Sequence, residues 1–199
     1  MADSHGQPGT ILAALAALKE LNCRTIYHLG DVCDSMHPET AESCLRPLQE
    51  NQVITIKGNN DHVIVANNLG RKETSVSPAA LEYLQSLPLF QTYPDSILTH
   101  SLPFAEELGL SCMIGTMSET ETIRTFNAFP HHVVFRGHSH KPEILRLRGH
   151  RVESDTPIVG AKINLAGKLP CVVTCGALTR GLYMIWNPEE NYIVSLSYK

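Results

Sequence analysis

With 199 residues and a formal net charge of −4, the chain can bury one substantial core but is short for two, so a single domain over residues 1–199 is expected. Its 16 Lys and Arg form no basic stripe, which excludes tracking of an extended nucleic acid and leaves a nucleotide-sized ligand open. The polar start from Met1 to Gly6 and the lack of any apolar run of membrane-spanning length argue for a cytoplasmic protein without a membrane partner. The six cysteines show no C-x-x-C spacing, so reduced, mostly buried thiols are expected.

Pro8 opens a segment with Ile11, Leu12, Leu15, Leu18 and Leu21 at helical spacing, which predicts an amphipathic helix. A short apolar run, Thr25 to Leu29, predicts a strand. Glu39 to Glu50 follows as a helix and Val53 to Ile56 as a second strand. This alternation predicts an α/β layer with parallel strands. Further along, Val63 to Leu69 and Pro78 to Ser86 read as short helices, Ser96 to Thr99 as a strand after the Pro94-Asp95 turn, Ser118 to Ala128 as a helix, and Val133 to Phe135 as a buried strand. Beyond Glu143 the pattern holds strands without long helices: Ile144 to Leu147, Pro157 to Val159, Val172 to Thr174, Leu182 to Trp186 and Tyr192 to Leu196. An antiparallel sheet packed on the first is therefore expected.

Polar side chains able to bind metal stand repeatedly at the ends of these apolar runs. Asp3 and His5 precede the first helix, Asp31 follows Ile26 to Gly30, and Asn59 follows Ile54 to Gly58. His100 follows Ile97 to Thr99, and His138 and His140 follow Val133 to Gly137. Parallel strands deliver their carboxyl ends to one edge of a sheet, so these seven groups can converge. Two-residue spacing lets Asp3 with His5, and His138 with His140, project to one side. Gly30, Gly58 and Gly137 allow sharp turns and close approach beside them. Carboxylate, imidazole and amide oxygen together suit manganese, iron, zinc, cobalt or nickel better than magnesium, and seven donors exceed the needs of one tetrahedral zinc.

In order along the chain, Asp3-Ser4-His5, Gly30-Asp31-Val32-Cys33-Asp34, Gly58-Asn59-Asn60-Asp61, His100 and Gly137-His138-Ser139-His140 resemble the signature of the calcineurin-like metallophosphoesterases. The resemblance implies two packed mixed sheets flanked by helices. It also implies two divalent metal ions, manganese first among them, one held by Asp3, His5, Asp31 and His140 and the other by Asp31, Asn59, His100 and His138. Two cations about 4 Å apart can clamp both oxygens of an in-line displacement and acidify a bridging water, so hydrolysis of a phosphodiester or small phosphate ester is the expected reaction, with Asp31, Asn59 and His138 as its catalytic centre. Asp34 and Asp61 are expected to anchor loops behind the ligands. The alternatives are hydrolysis of a dinucleoside polyphosphate and a non-catalytic scaffold with the same fold.

Two departures from the pattern stand out. Many relatives carry His after the motif's Asn, where Asn60 stands here, and Asn cannot serve as a general acid. Asn60, His62, His37 and Arg180 are instead candidates for contact with substrate; Arg136 is a weaker one, and His28 reads as a core histidine. His131, His132 and His150 read as solvated loop residues. Relatives also place an apolar strand before D-x-H, whereas only Met1 and Ala2 precede it here. A truncated first strand is expected, from either a start assigned too far downstream or a sheet that tolerates a gap.

Overall fold

The computed structural model describes residues 1–149 and 151–198, so the reading of His150 lies outside the described residues. Helix α1 (Pro8–Glu20) leads to β1 (Tyr27–His28), α2 (Ala41–Glu50), β2 (Ile54–Thr55), α3 (Asn59–Asn68) and α4 (Pro78–Ser86). There follow β3 (Phe90–Thr92), β4 (Ser96–Thr99), the single-turn α5 (Ala105–Leu108), α6 (Glu119–Ala128) and β5 (Val133–Arg136). The chain ends with β6 (Glu143–Arg148), β7 (Arg151–Asp155), β8 (Lys162–Asn164), β9 (Cys171–Thr174), β10 (Leu182–Asn187) and β11 (Tyr192–Ser197).

Six strands form one mixed sheet in the order β3-β4-β5-β9-β6-β7, with β4, β5 and β9 parallel. These three are buried along their whole length, because helices cover one face and a second sheet layer the other. Strand alternation divides their side chains. Leu98, Phe135 and Val173 meet Leu29, Ile56, Met184 and Ile193 between the layers, whereas Ile97, Val134 and Val172 turn outward beneath Phe126 of α6. The second layer comprises the parallel pair β1-β2 and the antiparallel group β10-β11-β8. Helices α1, α2 and α4 cover it with Leu15, Leu18, Leu45, Leu48 and Leu84. The expected α/β architecture of two packed mixed sheets flanked by helices is what the chain adopts.

Met1 to Asp3 lie beside β1 as a stub of strand. The Leu29 N–H donates to Met1 O at 2.9 Å and the Asp3 N–H to Gly30 O at 3.1 Å, while on the other side the Leu178 N–H donates to Ala2 O at 2.9 Å. Differences from the sequence reading are local. Pro157 to Val159 is not a strand; Ile158 and Val159 are exposed, and the strand in that stretch is β8. The third helix begins at Asn59, four residues before Val63, because Asp61 accepts the Gly58 N–H and closes its first turn. His132 is half-buried, edge-on to Phe129 at 6.0 Å between ring centroids.

Candidate metal centre

All seven predicted donors gather at the carboxyl ends of the strands. Gly58 permits the approach of the second strand loop to the first: a Cβ there would stand 2.1 Å from Asp31 N and 2.3 Å from Asp31 Oδ1. Gly137 does the same for the last loop, where a Cβ would come within 2.8 Å of Ala2 Cβ and 3.0 Å of Asp3 Oδ2. Asp3, His5, Asp31, His138 and His140 all have positive φ, accounting for five of the eight such non-glycine residues among those described. That conformation costs each of them energy, of order 1 kcal/mol or more, and it is concentrated where side chains are forced together.

Two clusters result. In the first, His5 Nε2 and His140 Nε2 stand 2.9 Å apart, with Asp3 Oδ1 3.8 Å from His140 Nε2. In the second, Asn59 Oδ1 lies 3.1 Å from both His100 Nε2 and His138 Nδ1, which are 3.3 Å from each other. Asp31 joins them: its Oδ2 is 3.8 Å from His5 Nε2 and 3.6 Å from His100 Nε2. Donors bound about 2.1 Å from one cation lie roughly 3.0–3.5 Å from one another; the spacings around Asn59 fall in that range, and the others, from 2.9 to 3.8 Å, lie within a few tenths of an ångström of it. Asp3 Oδ2 is buried with no hydrogen-bond partner among the described residues, an arrangement that costs about 1–3 kcal/mol unless a cation is supplied. The donors fit a pair of divalent transition metals.

The electrostatics point the same way. Burial pushes the Asp3 carboxyl up to about 7, against the pull of His100. Burial would also raise Asp31, but hydrogen bonding to His100 and the two Asn60 donors outweigh it and hold that carboxyl well below the usual range. His138 is pushed down to about 4 by burial and then by the neighbouring His100, and His140 is lowered by burial, His5 and Arg180. His138 and His140, held neutral, are ready to bind metal. Burial would lower His100, but the Asp31 carboxylate beside it outweighs burial and raises it, so a cation there would displace a proton.

Residues behind the donors hold them in place. The Asp61 carboxylate, fully buried, accepts the Cys33 N–H at 3.0 Å and the Gly58 N–H at 2.9 Å, so it ties both strand loops together. Asp34 accepts the Met36 N–H at 2.8 Å and folds its own loop. His100 Nδ1 bonds Leu29 O at 2.7 Å, which aims Nε2 at the site; a backbone partner of this kind leaves no mark in the sequence. Asn60 is committed in the same way. Its backbone and side-chain N–H groups donate to Asp31 at 2.8 and 2.9 Å, and its Oδ1 accepts from Ser35 Oγ at 2.8 Å.

The remaining candidates divide. Arg180 is exposed and close enough for its charge to lower His140. His62 is half-buried on α3, and His37 is exposed with Nδ1 3.3 Å from Glu39 Oε1. Arg136 is buried and donates to Ser101 O, Ser101 Oγ and Thr174 Oγ1, a structural role. His28 is a core histidine bonded to Ser4 Oγ at 3.1 Å.

Solved structures share the fold, and a family model supplies the family. A solved metallophosphoesterase from Sphaerobacter thermophilus has the same fold, with a TM-score of 0.73 at 21% identity over 100% of this chain and 86% of that one. A second structure, of a candidate diadenosine tetraphosphatase, aligns with a TM-score of 0.60 at 14% identity over 98% and 90%. A third, the protein TT1561 of Thermus thermophilus, aligns with a TM-score of 0.54 at 12% identity over 100% and 97%. No curated protein sequence matches. The family model of the calcineurin-like phosphoesterase superfamily domain matches residues 1–154, and the chain therefore belongs to that superfamily of hydrolases acting on phosphate esters.

Proposed function

We propose that the chain, acting as one catalytic domain, is a metal-dependent phosphoesterase for phosphodiesters or small phosphate esters, nucleotides among them, and that it works in the cytoplasm. Asp3, His5, Asp31 and His140 would hold one divalent cation and Asp31, Asn59, His100 and His138 a second. The observation that carries this reading is the meeting of two imidazole Nε2 atoms, His5 and His140, at 2.9 Å beside a shared carboxylate. Two ring nitrogens at that distance need a proton or a cation between them. When bound, two such ions supply Lewis-acid charge to the phosphoryl group and acidity to a water.

The protein's own contribution is placement. The Leu29 carbonyl fixes the tautomer and direction of His100, Asn60 fixes the rotation of the Asp31 carboxylate, and Arg180 offers a forked cation to an anionic substrate at the His140 side. The mixed donor set suits manganese, iron, zinc, cobalt or nickel, and the family resemblance puts manganese first among them. The test is hydrolysis by purified protein of mono-, di- and polyphosphate esters with manganese, iron, cobalt, nickel or zinc. If every class stays untouched with every metal, the reading fails.

One observation favours a narrower reading, hydrolysis of a dinucleoside polyphosphate. Both ends of the Asn60 amide are occupied by Asp31 and Ser35, so no general acid stands at the place where relatives have His, and a phosphoanhydride leaving group demands least protonation. Along a series of esters, the rate would rise steeply as the leaving group becomes more acidic. A flat dependence would remove this reading and keep the broader one.

A further inference from the structure

Ser4 stands between Asp3 and His5, whose backbones both have positive φ. Its own side chain turns back into the second layer and is fully buried. There Ser4 Oγ donates to Val32 O at 3.0 Å and lies 3.1 Å from Nε2 of His28, the last residue of β1. The hydroxyl has one proton. With that proton on Val32 O, the Nε2–H of His28 donates to Ser4 Oγ and the other ring nitrogen, Nδ1, carries a bare lone pair. Nδ1 is buried with no hydrogen-bond partner among the described residues, and burial pushes the ring well below its ordinary pKa, so it is neutral.

For stability this is a poor arrangement. One neutral hydrogen bond contributes less than a buried polar atom without a partner costs, and an apolar side chain of similar size would fill the position without that cost. What the imidazole adds is direction. The backbone of the stub is laddered to the loop after β1, His5 N–H to Asp31 O and Gly6 N–H to Val32 O, both at 3.0 Å. Bonds along one edge fix the position of a segment more than its tilt. The Ser4 hydroxyl, held by Val32 O and by His28 at once, fixes the tilt of the residue that both ligands flank. Because His28 lies three residues before Asp31, the link sets Asp3 and His5 against the carboxylate that the two clusters share.

We propose that His28 is a positioning residue for the cation assigned to Asp3, His5, Asp31 and His140: acting through Ser4, it holds Asp3 and His5 at their angle to Asp31. It does for this pair what Leu29 O does for His100. The proposal rests on the reading of those four residues as ligands of one ion. A packing role alone predicts a loss shared by the whole molecule, whereas a positioning role predicts a loss at one ion.

The test titrates manganese into the chelator-stripped full chain, followed by calorimetry and by electron paramagnetic resonance, which separates coupled pairs of ions from single ones. His28→Leu removes the donor and the bare nitrogen together, His28→Gln keeps an N–H near the position of Nε2, and Ser4→Ala cuts the link from its other end. Wild-type protein is expected to bind two ions. In His28→Leu one of them should bind about 10- to 100-fold more weakly and the other within about twofold of wild type, with the metal-free melting temperature lowered by less than about 2 °C. His28→Gln should regain most of the lost affinity. His28→Leu combined with Ser4→Ala should bind no more weakly than either alone, because both break one link. In His140→Ala, which takes a ligand from the same ion, His28→Leu should cost nothing further at the remaining ion. Two ions bound as in wild type by His28→Leu and Ser4→Ala would overturn the proposal and leave the two-ion reading standing. Equal weakening of both ions with a fall in melting temperature, or losses that add in the double variant, would also overturn it. Wild-type protein that takes up no ion pair would remove the two-ion reading and the proposal with it. Should His28→Leu fail to fold, Ser4→Ala decides: unchanged affinity for both ions overturns the proposal.

Discussion

Asp31 is the residue on which the candidate site turns, because one carboxylate oxygen lies within 3.8 Å of donors from both clusters. Asp31→Asn keeps the shape but removes the charge the two clusters share. Turnover is expected to fall more than about 100-fold, with circular dichroism unchanged and metal content reduced; wild-type turnover in the variant would refute the shared role. Asn60 donates twice to Asp31, so if it serves to orient that carboxylate, Asn60→Ala should lower metal affinity by about 10- to 100-fold and leave KM for the ester nearly constant in saturating metal, whereas a substrate contact would raise KM. A pH dependence follows from Asp3. Its carboxyl is raised to about 7 by burial, so below that pH the metal-free protein holds a proton there that the cation must displace. Metal affinity should climb as pH rises toward 7 and continue to rise more gently above it, because His100, raised by Asp31, also has a proton to give up. Calorimetry in buffers of differing ionisation enthalpy should find proton release that is largest below pH 7 and shrinks as pH rises further.

At the scale of elements, the loops that follow β1 and β2 are one unit because Asp61 spans them. Asp61→Ala strands two buried N–H groups, those of Cys33 and Gly58, at about 1–3 kcal/mol each. Thermal melting should fall by roughly 4–24 °C, and a fall of under 2 °C would show that water replaces the carboxylate. The elements that carry the site were readable in the sequence, and the reason is physical. Leu15 and Leu18 of α1 or Ile97 and Leu98 of β4 pack against neighbours that demand their periodicity, and the donors follow such runs directly. What was not legible lies at the edges. Strand β3 is half-buried and β7 mostly exposed, and Arg151–Asp155 carries a mostly polar sequence; pairing with β6, not its own pattern, makes it a strand. Ile158 and Val159 misled because an apolar pair normally signals burial, whereas here both face solvent. The roles of Leu29 O and Ser35 were hidden because a carbonyl and a loop hydroxyl announce nothing by residue type.

For the molecule as a whole, the consequence lies in how widely the donors are spread. Residues from Asp3 to His140 meet at one place, carried on the stub, the loops after β1 and β2, and the segments after β4 and β5. Without cations that meeting point leaves Asp3 Oδ2 buried and unpaired among the described residues; strained backbone at five of the seven donors adds to the cost. A ligand that binds only the folded state stabilises it by RT ln(1 + [L]/Kd), about 4 kcal/mol at a thousandfold excess over Kd. At this chain length each kcal/mol shifts melting by about 2–4 °C. Stripping the protein with a chelator should therefore lower its melting temperature by roughly 8–16 °C, and titrating manganese back should restore it in proportion to the logarithm of free metal. The effect should vanish in Asp31→Asn combined with His140→Ala, which removes donors from both clusters. A melting temperature indifferent to chelation in the wild-type chain would mean that hydrogen bonds among these side chains, rather than metal, hold the strand ends together.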